Sequence, residues 1–294
     1  MKAYNKEAFT GWLFIMPAII GFGLLTVIPI IFSLVISFTD WNFMEGLKGI
    51  RFTGFHNYTK MWSDQWFTDS LKNNLIFAVT TVPLIMLFSL LTAVALNHGA
   101  FFKTPLRMII FMPYVSSIVA VSLVWALLYS PSQGPINQAL RGFGIEHPPG
   151  WLSDPKWALV AIIIMSVWAA IGYNMVIYLA GLQSIPKDLY EASSIDGAGK
   201  VRQFFSVTIP LLSPTTFFVL ITCIIHSFQV FAAIFMMTQG GPGTSTSVLT
   251  FYIYQTGFSF YKMGYASAMA WILTLIIFMV TIVQWIGQKR WVNY

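Results

Sequence analysis

The sequence predicts an all-α membrane protein that crosses the bilayer with six helices. Of its 294 residues, 57% are apolar and 9% are charged, whereas about a quarter of the residues of a soluble domain are charged. Crossing the hydrocarbon layer takes roughly 20 helical residues. The loops are short, so we expect residues 1–294 to form a single membrane domain. Six apolar stretches are long enough to span, near 11–38, 73–96, 107–130, 157–182, 212–237 and 266–286.

The first apolar stretch is predicted to be a retained span. Lys2 and Lys6 precede the run from Gly11 to Phe38, which is the order of charge and hydrophobicity in a signal peptide. The run has 28 residues, well beyond the roughly 15 of a signal peptide's apolar segment, and no small-residue cleavage pattern follows it. We therefore expect it to remain in the protein as the first span.

Prolines lie inside the first three spans. Pro17 and Pro29 fall in the first, Pro83 in the second and Pro113 in the third. Proline lacks the N–H that would close a helical hydrogen bond, so each of these positions predicts a kink. Neighbouring helices tolerate such kinks in a membrane by satisfying the freed carbonyl groups.

The distribution of Lys and Arg predicts that both termini are cytoplasmic. Cytoplasmic segments of membrane proteins retain positive charge. With the N-terminus inside, the inner segments hold nine Lys and Arg in about 58 residues, and the outer segments hold seven in about 88. The density is therefore nearly twice as high on the inner side.

The interiors of the six spans contain no Asp, Glu, Lys or Arg. A stand-alone secondary carrier or channel, the main alternative, usually keeps ionisable groups at mid-membrane or builds a selectivity filter. Neither is visible here. If a solute is moved against a gradient, we expect the energy to enter from outside the bilayer, through a cytoplasmic loop.

The sequence gives little support for catalysis or for nucleic-acid binding. His226 is the only histidine within a span, and a membrane-embedded protease or phosphatase would need further groups at the same depth. Cys223 is the only cysteine, and no metal-binding motif is present. Gly199-Lys200 lacks the Ser or Thr that completes a phosphate-binding loop, so the chain itself is not expected to bind ATP. No Lys/Arg-rich patch with interleaved aromatics is present.

The segment 183–211, between the fourth and fifth spans, predicts a short surface helix. Pro186 suits a helix start, Asp188 in the first turn suits the helix dipole, and Gly197 suits the end. In this helix Leu189, Ala192 and Ile195 would share one face. Tyr190 and Glu191 would project elsewhere, toward a partner in the cytoplasm.

The same segment resembles the EAA loop of binding-protein-dependent importer permeases. It has Glu191-Ala192, then Gly197 six residues after the glutamate, and Val207-Thr208-Ile209-Pro210 at its end; Ser193 stands where a second Ala is usual. The resemblance implies a six-helix ABC importer permease bundle with a cytoplasmic coupling helix. It also implies that the residues coupling to the ATPase are Tyr190, Glu191, Ala192, Ser193, Asp196 and Gly197.

The resemblance extends over most of the chain and is closest to sugar permeases of the maltose type. Motifs that carry it include Thr39-Asp40-Trp41, Phe111-Met112-Pro113-Tyr114, Trp151-Leu152-Ser153-Asp154-Pro155 and Gly240-Gly241-Pro242. It implies a bacterial or archaeal inner-membrane protein with a second permease subunit, two cytoplasmic ATPase subunits that bind the ATP, and an extracytoplasmic solute-binding protein. No cofactor of its own is implied.

The resemblance also implies which residues contact a sugar. Positions that match solute contacts of the maltose type are Tyr114, Ser166, Tyr173 and Ser227. Ser117, Asn174 and Gln229 join this candidate pathway because they are polar and otherwise unexplained in lipid. Each of the seven could instead hold helices together, which is a common role of polar residues in membrane bundles.

Overall fold

The computed structural model describes residues 2–97 and 102–292, and regular structure in this part of the chain is helical. Short π-helical or 3-10 segments, at 23–27, 43–49, 204–208, 255–259 and 288–290, separate or extend the α-helices. The α-helices, in chain order, are α1 (Lys2–Phe22), α2 (Ile28–Ile36), α3 (His56–Met61), α4 (Gln65–Asn97), α5 (Lys103–Val115), α6 (Ile118–Leu128), α7 (Pro135–Gly142), α8 (Pro155–Ser184), α9 (Lys187–Ile195), α10 (Lys200–Gln203), α11 (Ile209–Leu211), α12 (Ser213–Phe228), α13 (Ala232–Met237), α14 (Leu249–Tyr254) and α15 (Met263–Gly287).

The chain divides into two compact units. The first comprises Met1–Asp64 with Ile253–Ile272, and the second comprises Gln65–Tyr252 with Leu273–Tyr294. The expectation that the chain acts as one membrane domain stays a prediction.

In the first unit a buried amide holds the turn that follows α2. Asn57 is 4% exposed, and its Nδ2 donates to the carbonyl oxygens of Ser37 and Thr39, both at 2.9 Å. The hydroxyl of Tyr58 lies 2.7 Å from that of Ser37. A side chain at Gly264 would collide with the carbonyl group of Thr39, so glycine permits this close approach of two backbones.

In the second unit α4 and α8 form the centre of the packing. Buried apolar side chains from both helices, among them Phe77, Ile85, Ile162, Met165 and Met175, belong to one continuous core cluster. α5 and α12 also pack on this pair. Because α8 is buried on several sides, its apolar residues show little of the one-sided pattern that is typical of a surface helix.

Within the described residues, the structure has four candidate spans that each form one run of helix, and two bent pairs of helices. The four are Thr10–Ile36, Gln65–Asn97, Pro155–Ser184 and Met263–Arg290. Counting each bent pair as one span gives six, which agrees with the number that hydropathy predicts.

The third predicted span, 107–130, is not one continuous helix. α5 and α6 meet at an angle of 97°. The break falls at Ser116 and Ser117, whose ψ angles of 147° and 124° are extended. Pro113 lies in the last turn of α5 and removes one helical hydrogen bond just before the break. The sequence therefore predicted a kink in the correct turn of the helix, but the angle between α5 and α6 is larger than predicted.

The fifth predicted span, 212–237, also differs from the structure. α12 ends at Phe228, and residues 232–237 form the separate helix α13. The bent pair here joins Lys200–Leu211 to Ser213–Phe228 at 64°. Counted as one span, this pair begins about a dozen residues earlier than predicted. Pro214, in the first turn of α12, favours a helix start at this point.

Candidate functional site

A cavity of about 490 Å³ lies in the second unit, where the break between α5 and α6 faces α4, α8 and the end of α12. Broken helices are the usual places for solute sites in membrane bundles, because unwound backbone is tolerated where it lines a cavity. The lining residues are Phe77, Thr81, Ile85, Pro113, Tyr114, Ser116, Ile118, Ser166, Ala169, Ala170, Tyr173, Asn174, Thr222, Cys223, His226, Ser227, Gln229, Val230, Phe231, Ala232 and Ala233.

The structure brings together six of the seven residues predicted for a solute pathway. The exception is Ser117, which does not line the cavity; its neighbour Ser116 does. The extended backbone at this break turns successive side chains in different directions, so neighbouring serines face different surroundings. The six that line the cavity are Tyr114, Ser166, Tyr173, Asn174, Ser227 and Gln229.

Two tyrosine rings form a flat aromatic surface in the cavity. The rings of Tyr114 and Tyr173 stack with centroids 4.5 Å apart and planes inclined by 18°. Gly172, directly before Tyr173, lets α8 approach α5, since a Cβ there would overlap the backbone at Ile110 and lie 2.7 Å from Cα of Phe111. This close crossing places the two rings in contact.

Four hydroxyl groups in the cavity wall donate to carbonyl groups of their own helices. Asn174 is also engaged within the wall: its Nδ2 donates to Ala170 at 2.9 Å, and its Oδ1 accepts a bond from the thiol of Cys223 at 3.6 Å. The four hydroxyl bonds run from Thr81 to Phe77 at 2.7 Å, Ser116 to Met112 at 3.0 Å, Thr222 to Phe218 at 3.0 Å and Ser227 to Ile224 at 2.7 Å.

Sequence reasoning missed Thr81, Ser116 and Thr222 as lining residues. A helical period could have found one of them, because Thr222 lies one turn before His226, which also lines the cavity. Thr81 carries no such signal, since its place in the cavity depends on how α4 packs against α8.

A buried polar cluster fixes the segment between α13 and α14 against the start of α4. Asn73 Nδ2 donates to the carbonyl groups of Thr244 and Ser247, at 2.7 and 2.9 Å. The hydroxyls of Ser70 and Ser247 lie 2.7 Å apart, and Thr244 donates to Asp69 at 2.8 Å. This cluster holds the start of α4, the helix that contributes Phe77, Thr81 and Ile85 to the cavity lining.

The segment 183–211 contains the predicted short helix. α9 begins at Lys187, after Pro186, and ends at Ile195. The N–H groups of Gly197 and Ala198 donate to Ser194 and Ser193, both at 3.0 Å, which is the Schellman arrangement of a helix end. Gly197 has φ +78°, a left-handed conformation that glycine adopts without strain.

The side chains of α9 are not oriented as the sequence predicted. Tyr190 turns toward the core of the second unit, and its hydroxyl lies 3.0 Å from that of Thr208. The prediction that its ring projects away with Glu191 is therefore wrong. Leu189 is 42% exposed and Ile195 is 87% exposed, so the apolar face of α9 is turned to the surface.

The other predicted coupling residues lie at or near the surface of this segment. Glu191, Ala192 and Asp196 are exposed, and Ser193 is half-buried. Within the part of the chain that the structure describes, no hydrogen bond or ion pair engages the Glu191 carboxylate.

The sequence model of a known family, the binding-protein-dependent transport system inner membrane components, matches residues 63–292. The chain belongs to this family. It is therefore an inner-membrane permease component of a transport system and not an enzyme, as the sequence predicted.

Curated relatives of this permease family align over nearly the whole chain. The lactose transport system permease protein LacF of Rhizobium radiobacter is 38% identical, over 95% of this chain and 94% of its own length. The sulfoquinovosyl glycerol transport system permease protein SmoG of Agrobacterium fabrum (strain C58 / ATCC 33970) is 36% identical, over 92% of this chain and 87% of its own.

A solved structure has the same fold. It is a chain of the bacterial alginate ABC transporter in complex with an alginate pentasaccharide-bound periplasmic protein. The TM-score is 0.84 at 22% identity, over 97% of this chain and 95% of that one. The predicted all-α importer permease fold is therefore confirmed.

Proposed function

We propose that this permease carries a sugar and forms one half of the pathway through an ATP-driven importer. The cavity beside the helix break supports the proposal, because it offers hydroxyl and amide groups next to the stacked rings of Tyr114 and Tyr173. Aromatic rings pack well on the C–H faces of sugars, and polar groups fix their hydroxyls. A relative named for lactose transport supports the same solute class.

The proposed assembly contains this chain, a second permease of a different sequence, two ATPase subunits and an extracytoplasmic solute-binding protein. Both termini lie in the cytoplasm, as the excess of Lys and Arg on that side favours. Segment 183–211 then faces the ATPase subunits. They bind the ATP, and the permease carries no cofactor of its own.

In the proposed mechanism α9 is the lever that receives the motion of the ATPase subunits. The exposed carboxylate of Glu191 pairs with a basic group of an ATPase subunit, and Gly197 holds the turn that directs the helix. ATP-driven closure of the two ATPases then moves α9, and the bundle alternates between inward and outward openings.

Tyr190 provides a physical route from this lever to the cavity. Its hydroxyl meets that of Thr208, and the carbonyl of Thr208 accepts from the N–H of Leu212 at 2.9 Å. α12 follows directly, and its last turn carries Ser227 into the cavity wall. A helix of 16 residues is about 24 Å long and transmits displacement as a stiff rod.

The test of the coupling role compares two acidic residues on the same helix. The complete transporter is reconstituted with Glu191→Ala or with Asp188→Ala, and ATP hydrolysis is measured with and without the loaded binding protein. We expect Glu191→Ala to abolish the stimulation by the binding protein and Asp188→Ala to retain it. Normal assembly and normal stimulation in Glu191→Ala would refute the lever.

A further inference from the structure

Several hydroxyl groups of the cavity wall have their protons engaged within the wall. A hydroxyl has one proton to donate and two lone pairs that accept. The hydroxyls of Thr81, Ser116, Thr222 and Ser227 each donate that proton to a carbonyl group of their own helix. The oxygen atoms of Ser116 and Thr222 therefore remain available to a solute as acceptors, whereas Thr81 and Ser227 are buried.

The cavity also has no fixed charge among its described lining residues. None of them is Lys, Arg, Asp or Glu. The other hydrogen-bonding groups among them include the phenols of Tyr114 and Tyr173, the amide of Gln229 and the imidazole of His226.

An anionic solute fits such a wall poorly. Carboxylate, phosphate and sulfonate groups are acceptors, and proteins bind them with cationic side chains or with several converging N–H groups. None of the described lining side chains is Lys or Arg, so an anion would lose its hydration there without a cationic partner, which is costly in a partly enclosed apolar site. A neutral sugar brings many O–H donors, and some of them can meet the accessible hydroxyl oxygens.

We infer that the cavity selects an uncharged, hydroxyl-rich sugar and discriminates against phosphorylated, carboxylated or sulfonated ones. The inference rests on the proposed function, because it takes this cavity as part of the solute's path. It goes further because it names the charge of the solute and the wall oxygens that accept hydrogen bonds from it. The hydroxyls of Ser116 and Thr222 are the specificity-determining groups.

The direct test measures weak binding to the purified permease pair by saturation-transfer difference NMR at pH 8. The neutral probes are lactose, maltose and trehalose, and the anionic probes are digalacturonate and glycerol 3-phosphate. We expect at least one neutral disaccharide to give signals about fivefold or more above those of both anions. Equal or stronger signals from either anion, or no signal from any neutral probe, would overturn the inference.

A matched pair of threonine variants assigns the signal to the wall oxygens. Thr222→Val replaces the hydroxyl by a methyl group and is expected to weaken binding of the neutral probe about five- to tenfold. The control is Thr92→Val, since Thr92, like Thr222, donates to two carbonyl groups of its own helix but does not line the cavity. Equal losses in the two variants would contradict the assignment.

A charge introduced into the wall provides the converse test. Thr222→Lys is expected to reverse the preference, so that digalacturonate gives the stronger signal. An unchanged order in a correctly assembled Thr222→Lys pair would count against the inference.

ATP-driven uptake of an anionic sugar by the native transporter would overturn this inference and leave the proposed import function standing. Loss of ATP coupling would overturn the import function itself.

Discussion

The side-chain amide of Asn74 donates a hydrogen bond to the backbone carbonyl of Ser227, at a distance of 3.2 Å. The same side chain accepts a bond from the N–H of Leu249 at 3.1 Å. Asn74 is fully buried, and Ser227 lines the cavity. One amide thus joins α4, the last turn of α12 and the start of α14, and fixes the wall of the candidate site from behind.

Replacing Asn74 by Ala should destabilise the second unit. The change leaves one buried carbonyl and one buried N–H without partners, at a cost of about 1–3 kcal/mol each. We expect a clear fall in the unfolding temperature of the detergent-purified permease pair. Gln138→Ala is the control, because this exposed amide bonds only a nearby carbonyl on the surface. Equal unfolding temperatures for the two variants would show that the Asn74 bonds contribute nothing.

Gly172→Ala should separate α5 from α8. The added Cβ meets backbone atoms near Ile110 and Phe111, which cannot swing aside as a side chain can, so we expect a loss of about 1–3 kcal/mol. The Tyr114 and Tyr173 rings should lose contact, and sugar binding should weaken with the loss of stability. Gly287→Ala, where a Cβ has open space, is the control in thermal unfolding. Native stability of Gly172→Ala would contradict the close crossing.

Tyr173→Ala should weaken solute binding through loss of the stacked surface. An aromatic contact of this kind contributes about 0.5–1.5 kcal/mol beyond its buried area, which corresponds to roughly a two- to tenfold rise in the KM for transport. The measurement is uptake at varied solute concentration. The matched control is Tyr254→Ala, since Tyr254 packs on Phe258 in the first unit and does not line the cavity. The stacking role is excluded if both variants raise the KM equally.

Tyr190 and Thr208 should be energetically coupled. A double-mutant cycle with Tyr190→Phe and Thr208→Val isolates their hydroxyl contact, for which we expect about 0.5–1.5 kcal/mol in thermal unfolding. If the contact transmits motion from α9, Tyr190→Phe should also lower the stimulation of ATP hydrolysis by the loaded binding protein. Additive losses with no interaction energy would remove this contact from the proposed route.

Hydropathy was sufficient to find the spanning helices because a run of apolar residues in lipid has few alternatives to a helix. It could not find the break at Ser116 and Ser117, since both serines lie in an apolar context that a window average retains as one span. The end of α12 at Phe228 was missed for the same reason.

The site residues differ in how far the sequence reveals them. Tyr114, Tyr173 and Ser227 could be predicted from polar groups within apolar spans, together with the resemblance to sugar permeases. The inward turn of Tyr190 could not, because the helix α9 presents two different faces, and only packing against the core decides which is buried. The bond from Asn74 to Ser227 joins residues 153 apart in the chain, a contact for which a single sequence carries no pattern.

Solute accumulation in proteoliposomes at pH 8, with lactose, maltose and trehalose as radiolabelled probes, tests the proposed import most sharply. We expect the complete transporter to concentrate a neutral sugar when ATP is supplied to the ATPase subunits. We also expect accumulation to stop when Glu191 is replaced by Ala or when the ATPase subunits are left out. Accumulation of sugar against a gradient by this chain with no ATP-hydrolysing subunit present would refute ATP-driven import through it.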